Sequence, residues 1–394
     1  MKVNTDAKKI EELMGRGVDE VIVKDSLEKK LKSGKKLRIK LGIDPTSPNI
    51  HLGRSIPLLK LRDFQELGHQ VVFIIGDATG VVGDTSDKES ERPMLDEAKV
   101  KQNMKDYAKQ AGKVVDIKKC EVFYNSKWLA KLGLLELAKM ANLFGLHEFE
   151  SREIISKRLK AGKRVSFHEL MYPLMQGYDS VMVKADVEIG GTDQRFNLLA
   201  GRTIQSYYGQ APQDIVMSPL VEGTDGRKMS SSWGNTINLI DSANDIYGKV
   251  MTVPDNLIIK YFTLTTRVPL AEVKEFEKSL ASGGNPRDVK MKLAFELVKF
   301  YHSAKAAQEA QEYFVSTFSK KETPEEISEL KPSAYDIVTV LVEAKFVASK
   351  AEARRAIEQG GVKVNGQKVG AQNFVPAQQG DVVQKGKRFF VRIV

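Results

Sequence analysis

The stretch KLRIKLGIDPTSPNIHLGRSIPLLKLRDFQELGHQVVFIIGD, residues 36–77, decides the fold of this chain. Residues 35–44 are predicted to form a strand that ends in a loop. Residues 51–68 carry apolar side chains at helical spacing, and residues 69–77 form the short, continuously apolar run that is typical of a buried parallel strand. A strand, a helix and a second strand in this order predict a parallel α/β sheet.

The loops that follow these strands, at 44–51 and 76–92, are the expected binding region. Ligands of parallel sheets bind beyond the carboxyl ends of the strands, and both loops lie at those ends. The strand pattern returns at 180–197 and 214–223. Residues 8–33 are predicted to be helical.

The rest of the chain suggests several domains, and its 394 residues suit two or three. With the sheet assigned to residues 1–240, the remaining parts are a mostly helical, charged insertion at 93–170, a helical region at 241–325, a charged linker at 326–333 and a block of mixed helix and short strands at 334–394.

The composition is that of an ordinary globular protein, with 42% apolar and 28% charged residues. The net charge is +10, and residues 334–394 contribute half of it, with ten basic and five acidic side chains. Such an excess favours a polyanionic partner such as nucleic acid. The single cysteine, Cys120, excludes intrachain disulfides and cysteine zinc clusters.

The lack of a recognisable targeting signal or membrane span predicts a cytoplasmic protein with no membrane partner. No apolar run approaches the roughly 20 residues that span a bilayer, and the N-terminus lacks the apolar core of a signal peptide. The motifs of a P-loop and of an H-E-x-x-H zinc hydrolase are also missing from the sequence, and no metal site is predicted.

The first polar cluster opens the predicted helix at 51–68. His51 and Arg54 are three residues apart and therefore share one helix face, while Gly53 leaves room for a close approach. Because a helix N-terminus favours phosphate, this cluster is a candidate nucleotide site. The alternative is a surface histidine and arginine beside a helix cap.

The second cluster is the loop GTDGRKMSSSWGN, residues 223–235. Glycines flank Arg227 and Lys228, and three hydroxyl side chains follow. Such a loop can surround phosphates with charge and hydrogen-bond donors. The alternative is a flexible polar turn.

Two further segments carry polar groups at suggestive spacing. YPLMQGYD places Tyr172, Gln176 and Asp179 on one helix face, which would bring three polar groups to a pocket; an amphipathic helix with a wet side is the alternative. In EIGGTDQRFN, residues 188–197, paired glycines let the backbone approach a ligand. Asp193 either caps the next helix or accepts hydrogen bonds from ribose hydroxyls.

Taken together and in this order, these segments resemble the class I aminoacyl-tRNA synthetases, in particular the bacterial tyrosyl-tRNA synthetases. HLGR is similar to the His-Ile-Gly-His signature, and KMSSS is similar to the Lys-Met-Ser-Lys-Ser signature. The segments similar to the family's tyrosine and ATP segments are GIDPTSPNIHLG, GDATGVVGDTSDKESER, YPLMQGYD and GGTDQRFN. The resemblance covers nearly the whole chain. It implies a Rossmann-like catalytic domain at 1–240, a helical anticodon-side domain at 241–325 and, at 334–394, a small α+β RNA-binding domain of ribosomal-protein type.

The resemblance implies a two-step reaction. Tyrosine and ATP first give tyrosyl-adenylate and pyrophosphate, and the tyrosyl group then passes to the 3′ end of tRNA(Tyr), with Mg²⁺ accompanying ATP. The first step requires in-line positioning and cationic groups where phosphate charge develops. The rival interpretation is an RNA-binding paralogue that has lost amino-acid activation.

The resemblance also implies roles for individual residues. Catalysis would fall to His51, Arg54 and Lys228, and Asp179 would accept a hydrogen bond from the phenol hydroxyl. The implied ATP-binding residues are His51, Gly53, Asp193, Lys228 and Ser230. The implied tyrosine-binding residues are Asp84, Tyr172, Gln176, Asp179 and Gln194. Those implied for tRNA or pyrophosphate are Lys88, Arg92, Arg354, Arg355 and Lys363.

Three positions depart from the family's pattern. Arg54 replaces the second histidine of the first signature, and Ser231 replaces the second lysine of the other. Lys40 stands where many bacterial members have a tyrosine that bonds the phenol hydroxyl, so the second partner of that hydroxyl is left open. The resemblance further implies a homodimer formed through residues 93–170.

Overall fold

The computed structural model describes residues 2–86, 94–319, 327–369, 377–386 and 389–394. The chain divides into two compact units, Met1–Ser303 and Ala304–Val394. The division falls inside the region predicted as a helical domain, and the domain roles inferred from the sequence stay predictions.

The described part of the first unit is built on a six-stranded sheet. Its strands are β1 (Glu20–Ile22), β2 (Arg38–Ile43), β3 (Gln70–Ile75), β4 (Glu121–Tyr124), β5 (Val187–Gly191) and β6 (Asp214–Ser218). They are arranged in the order β1-β6-β5-β2-β3-β4, and all neighbours are parallel except β1, which is antiparallel to β6. The chain leaves β2 towards β3 and β4 and later returns to its other side with β5 and β6. The strand order therefore reverses beside β2, which is where ligands bind in open α/β sheets.

Helices lie before, between and after these strands along the chain. Their bounds are α1 (Ala7–Gly15), α2 (Lys24–Lys32), α3 (Leu52–Glu66), α4 (Asp77–Val82), α5 (Glu97–Met104), α6 (Tyr107–Ala111), α7 (Ser126–Leu129), α8 (Leu134–Ala141), α9 (Leu146–Glu150), α10 (Glu153–Lys160), α11 (Phe167–Val183), α12 (Arg195–Tyr207), α13 (Ala243–Met251), α14 (Ile258–Thr265), α15 (Leu270–Ala281) and α16 (Pro286–Tyr301). Helix α1 precedes the strands, α2–α12 lie between them, and α13–α16 follow β6. The crossover helix α3 packs on β2, β3 and β5, and α11 packs on α12.

The N-terminal prediction of one helix over residues 8–33 is wrong. Helix α1 ends at Gly15, strand β1 follows, and α2 begins at Lys24. Gly17 adopts a positive φ of 62°, which allows the chain to turn between the elements. The β-branched residues that follow pair with β6, so tertiary pairing overrides the apparent helical run.

The segment 93–170 is mostly helical over its described residues, but it is not wholly an insertion. Its strand β4 pairs in parallel with β3 and so extends the main sheet. With only the four residues EVFY, this strand is too short to be recognised in the sequence between charged helical segments. This strand matters because the residues after it reach the ligand-binding edge.

The second unit holds α17 (Ala304–Phe314), α18 (Ile337–Glu343), α19 (Lys350–Glu358) and strands β7 (Ser328–Leu330), β8 (Val362–Val364), β9 (Gln367–Lys368), β10 (Val382–Lys385) and β11 (Phe389–Ile393). The sheet order is β7-β11-β10-β8-β9. Helices α18 and α19 share an apolar core with the strands. The predicted linker at 326–333 contains β7, which pairs in parallel with β11, so three of its residues belong to this folded sheet.

Candidate active site

A cleft of about 1010 Å³ opens at the reversal point of the main sheet. Eleven of the residues predicted for catalysis and for tyrosine or ATP binding line it: His51, Gly53, Arg54, Asp84, Tyr172, Gln176, Asp179, Asp193, Gln194, Lys228 and Ser230. Lys88 and Arg92 lie outside the described residues. Arg354, Arg355 and Lys363 belong to the second unit.

One end of the cleft is formed where α3 begins. His51 is the N-cap residue of α3 and is 7% exposed. Burial, followed by the charges of Arg54 and Lys228, lowers the pKa of His51 to about 3, so the imidazole is neutral near pH 7. A Cβ at Gly53 would lie 3.1 Å from the His51 ring, a tight contact that would require the ring to shift by a few tenths of an ångström.

The loop at 223–235 lies beside this helix start because the chain beyond it pairs with the approach to α3. Leu52 donates its backbone N–H to Ile237, at 2.8 Å, and Leu239 donates to Ile50, at 2.9 Å. The Lys228 Nζ atom is 2.9 Å from a carboxylate oxygen of Asp193. A cation, a neutral imidazole and a helix N-terminus therefore meet here, which suits a chain of phosphates.

Arg54 forms hydrogen bonds that were not predicted. Its guanidinium donates to the Asp44 carbonyl at 3.1 Å, to the Tyr107 hydroxyl at 2.8 Å and to the Thr46 hydroxyl at 2.8 Å. Tyr107 in turn donates to the Ser47 carbonyl at 2.6 Å. Two of the five N–H donors of the guanidinium thus hold the loop after β2 directly, and a third holds it through Tyr107.

Asp179 lies at the opposite, deeper end of the cleft and is 4% exposed. Its carboxylate accepts hydrogen bonds from the indole N–H of Trp128, at 2.7 Å, and from the amide of Asn125, at 3.1 Å. Burial raises the pKa of Asp179 to about 7, although Lys40 and these two donors lower it. The Asp179 carboxyl group therefore changes between its protonated and ionised forms near pH 7.

Tyr172 is hydrogen-bonded to Asp44, the residue that directly follows strand β2. Its hydroxyl donates to Asp44 at 2.8 Å, and Thr79 donates to the other oxygen of that carboxylate at 2.7 Å. Burial and the nearby carboxylates raise the pKa of Tyr172 well above its ordinary value. A Cβ at Gly76 would lie 2.0 Å from Asp44, so glycine is required at this close approach.

Asp84 and Gln194 form a second polar group in the cleft. Gln194 donates to the Asp84 carboxylate at 2.6 Å and to the Ser86 hydroxyl at 2.8 Å. Ser86 and Asn197 also donate to Asp84. The carboxylate is therefore held by several donors and keeps a fixed position along the cleft wall.

Sequence reasoning missed several polar residues that line or support the cleft, among them Asp44, Thr79, Asn125, Trp128 and Glu188. A signal existed for Asp44, because it directly follows strand β2. Asn125 and Trp128 could not be found, because they follow β4, the strand that sequence reasoning missed.

Comparison with known proteins shows the family of this chain. Residues 32–319 match the family described as tRNA synthetases class I (W and Y), and residues 337–383 match the S4 domain. The tyrosine–tRNA ligase of Carboxydothermus hydrogenoformans is 45% identical over 398 residues, covering 97% of each chain. That of Shewanella oneidensis is 45% identical over 383 residues, covering 96% of each chain.

The chain belongs to the tyrosyl-tRNA synthetase family.

Its fold agrees with solved members of that family. A C-terminally truncated mitochondrial tyrosyl-tRNA synthetase from Aspergillus nidulans has a TM-score of 0.65 at 24% identity, covering 79% of this chain and 94% of that chain. One from Archaeoglobus fulgidus, complexed with L-tyrosine, has a TM-score of 0.62 at 22% identity, covering 77% and 97%. At such identities the likeness supports the fold alone.

As a tyrosine–tRNA ligase, this synthetase takes tyrosine, ATP and tRNA as substrates, and the interpretation as an inactive RNA-binding paralogue is not favoured. In its S4 domain, Arg354 and Arg355 are exposed on α19, and Lys363 lies half-buried on β8. Over the described residues, no helix is long and apolar enough to cross a bilayer. The same residues include no group of three or more His, Cys, Asp or Glu side chains that could hold a metal ion.

Proposed function

We propose that the cleft activates tyrosine with ATP, with the tyrosine ring directed to Asp179 and the ATP phosphates between His51 and Lys228. One observation supports the proposal: eleven residues from five separate segments line a single cleft at the reversal point of the sheet. The two ends of the cleft differ in charge, as do the ammonium and phenol groups of tyrosine and the phosphates of ATP. The deep end offers carboxylate acceptors, and the outer end offers a cation and a helix N-terminus.

At the deep end, the phenol hydroxyl of tyrosine donates to Asp179. Its ammonium group requires acceptors, and these come from Asp84, Gln176 and the Tyr172 oxygen. Gln194, which is bonded to Asp84, borders the same region. An ammonium group has three donors and no acceptor, so an acceptor-rich wall is the chemistry that this substrate needs.

At the outer end, the tyrosine carboxylate attacks the α-phosphate of ATP in line with the departing pyrophosphate. His51, held neutral by burial, donates a hydrogen bond to the phosphates, and Lys228 leaves Asp193 to bind the phosphate charge. Asp193 accepts hydrogen bonds from the ribose hydroxyls beside Gly53. Ser230 adds a hydroxyl donor to the same loop.

Mg²⁺ enters this site on the phosphates of ATP, as part of the substrate. Mg²⁺ keeps several waters and binds through substrate phosphates in preference to an all-protein cage.

The proposal is tested by tyrosine-dependent exchange of labelled pyrophosphate into ATP. Replacing His51 with Asn removes a preorganised phosphate donor, and losses of this kind typically cost about a hundredfold in rate. His302→Asn is the matched control, because His302 is exposed and does not line the cleft. Equal exchange rates in the two variants would overturn the assignment of the phosphate end.

We also propose that the synthetase works as a cytoplasmic homodimer joined through residues 93–170. Leu134 and Leu135, on helix α8, are 80% and 78% exposed. Adjacent leucines this open to water favour a partner surface. Light scattering on Leu134→Lys/Leu135→Lys should report a monomer if α8 lies in the interface, and an unchanged mass would exclude α8 from it.

A further inference from the structure

A buried ion pair forms the floor of the cleft at its tyrosine end. Lys40 and Glu188 are register partners on the neighbouring parallel strands β2 and β5. The Lys40 Nζ atom is 2.8 Å from a Glu188 carboxylate oxygen, and the two side chains are 1% and 2% exposed. Both residues line the cleft, at the point where the strand order reverses.

Every donor of Lys40 is occupied within the protein. Besides Glu188, its ammonium donates to the backbone carbonyl of Gln176 at 2.8 Å and to the Ser180 hydroxyl at 2.7 Å. A lysine ammonium has three N–H donors, and these three acceptors use them all. Lys40 therefore has no donor to offer the phenol hydroxyl.

Glu188 is saturated in the same way. One carboxylate oxygen accepts from Lys40 and from the Gln176 amide nitrogen, the latter at 3.1 Å. The other accepts from Ser180, at 3.1 Å, and from Gln213. Gln176 is consequently held at two points, by Lys40 through its backbone carbonyl and by Glu188 through its side-chain nitrogen.

This double attachment decides which way the Gln176 amide faces. An ionised carboxylate only accepts hydrogen bonds, so the amide nitrogen must turn to Glu188. The amide oxygen is then the atom that Gln176 can offer to a ligand. A substrate ammonium only donates, so the amide oxygen is the partner it requires.

We infer that the Lys40–Glu188 pair is a positioning pair for amino-acid recognition, which keeps the amide oxygen of Gln176 turned towards the ammonium group of tyrosine. The inference rests on the proposed placement of tyrosine in the cleft. It assigns Lys40 a role different from that of a phenol ligand. Asp179 is then the acceptor for the phenol hydroxyl, and the ion pair serves the opposite end of the amino acid.

The test is the double variant Lys40→Met/Glu188→Gln, which removes both charges at nearly constant volume. A glutamine at 188 can donate or accept, so it no longer dictates the orientation of Gln176. Tyrosine and 3-(4-hydroxyphenyl)propionate, which lacks the amino group, are titrated calorimetrically. We expect the tyrosine Kd to rise about tenfold, the usual cost of losing a hydrogen bond to a charged group, and the Kd of the analogue to stay unchanged.

A second buried pair supplies the control. Arg158 and Glu169 are 1% and 0% exposed and 2.5 Å apart, but neither lines the cleft. Arg158→Met/Glu169→Gln should leave the ratio of the two Kd values at the parent value. If the Lys40/Glu188 double variant also leaves that ratio unchanged, the pair is only structural and the inference is wrong.

Two further variants separate the possible failures. Asp179→Ala should weaken the binding of both ligands; if it does not, the proposed placement of tyrosine fails, whatever the ion pair does. If the double variant does not fold, Gly201→Ala replaces it, because the new Cβ would lie 2.6 Å from the Gln213 amide and disturb the Glu188 network without removing a charge. We expect it to lower the affinity for tyrosine but not for the analogue, and an equal loss for both would refute the positioning role.

Discussion

Replacing Arg54 with Ala tests how an altered signature serves the reaction. Arg54 lies one turn into the helix that starts at His51, and its guanidinium holds the loop after β2 through the Asp44 carbonyl and the hydroxyls of Thr46 and Tyr107. The side chain therefore has two separable roles. It can stabilise charge on the reacting phosphates, as the signature histidine would, or it can only hold the loop.

The two roles differ in magnitude. A preorganised donor to developing phosphate charge is worth around 3 kcal/mol, or roughly a hundredfold in rate. A single hydrogen bond between a charged and a neutral group is worth about 1.5 kcal/mol, or roughly tenfold. Thr46→Val removes one such bond, the 2.8 Å bond to Arg54, and leaves the charge in place.

We expect Arg54→Ala to form adenylate about a hundredfold more slowly, with little change in tyrosine affinity. Thr46→Val should lose about tenfold, as the loss of one hydrogen bond to a charged group allows. Arg54→Lys should recover most of the rate, because it restores the charge without the planar fork. The assay is single-turnover adenylate formation by stopped flow, with tyrosine affinity measured separately.

Two results would refute this reasoning. If Arg54→Ala forms adenylate at the parent rate, the side chain contributes nothing to the chemistry. If Thr46→Val slows the step as much as Arg54→Ala does, and Arg54→Lys restores nothing, then Arg54 acts only by holding the loop.

Three further predictions concern the pocket and the second unit. Asp179→Ala should abolish the preference for tyrosine over phenylalanine in pyrophosphate exchange, because the buried acceptor penalises a substrate without a hydroxyl; an intact preference would contradict the assignment. Tyrosine affinity should rise as the pH increases through about 7, because the raised pKa of Asp179 means that its carboxylate ionises there, and Asp179→Asn should flatten the profile measured by calorimetry. A chain ending at Ser303 should keep pyrophosphate exchange but charge tRNA poorly; the end is placed there because a chain ending near Glu329 would cut strand β7. In the full chain, Arg354→Glu/Arg355→Glu should likewise reduce salt-sensitive tRNA binding. Undiminished tRNA charging by these variants would exclude the second unit from tRNA binding.

The sequence alone determined the main features of this protein. The continuous apolar run VVFII, preceded by a strand and an amphipathic helix, is typical of a buried parallel strand, so the hydrophobic pattern indicated the fold class. The order of the short polar segments was specific enough to indicate the family. Eleven predicted residues then met in one cleft, because ligand sites of such sheets form where the strand order reverses.

Only the tertiary structure decided what depends on neighbours distant in the sequence. Strand β1 looks helical by itself and becomes a strand by pairing with β6, and β4 is too short to be recognised without β3 beside it. The same holds for charge. The ion pair of Lys40 depends on Glu188, which lies 148 positions later in the chain and becomes its register partner only when β2 and β5 pair. Hydrophobic period is a local property of the chain, whereas hydrogen-bond satisfaction of a buried charge is set by whatever the fold brings within 3 Å.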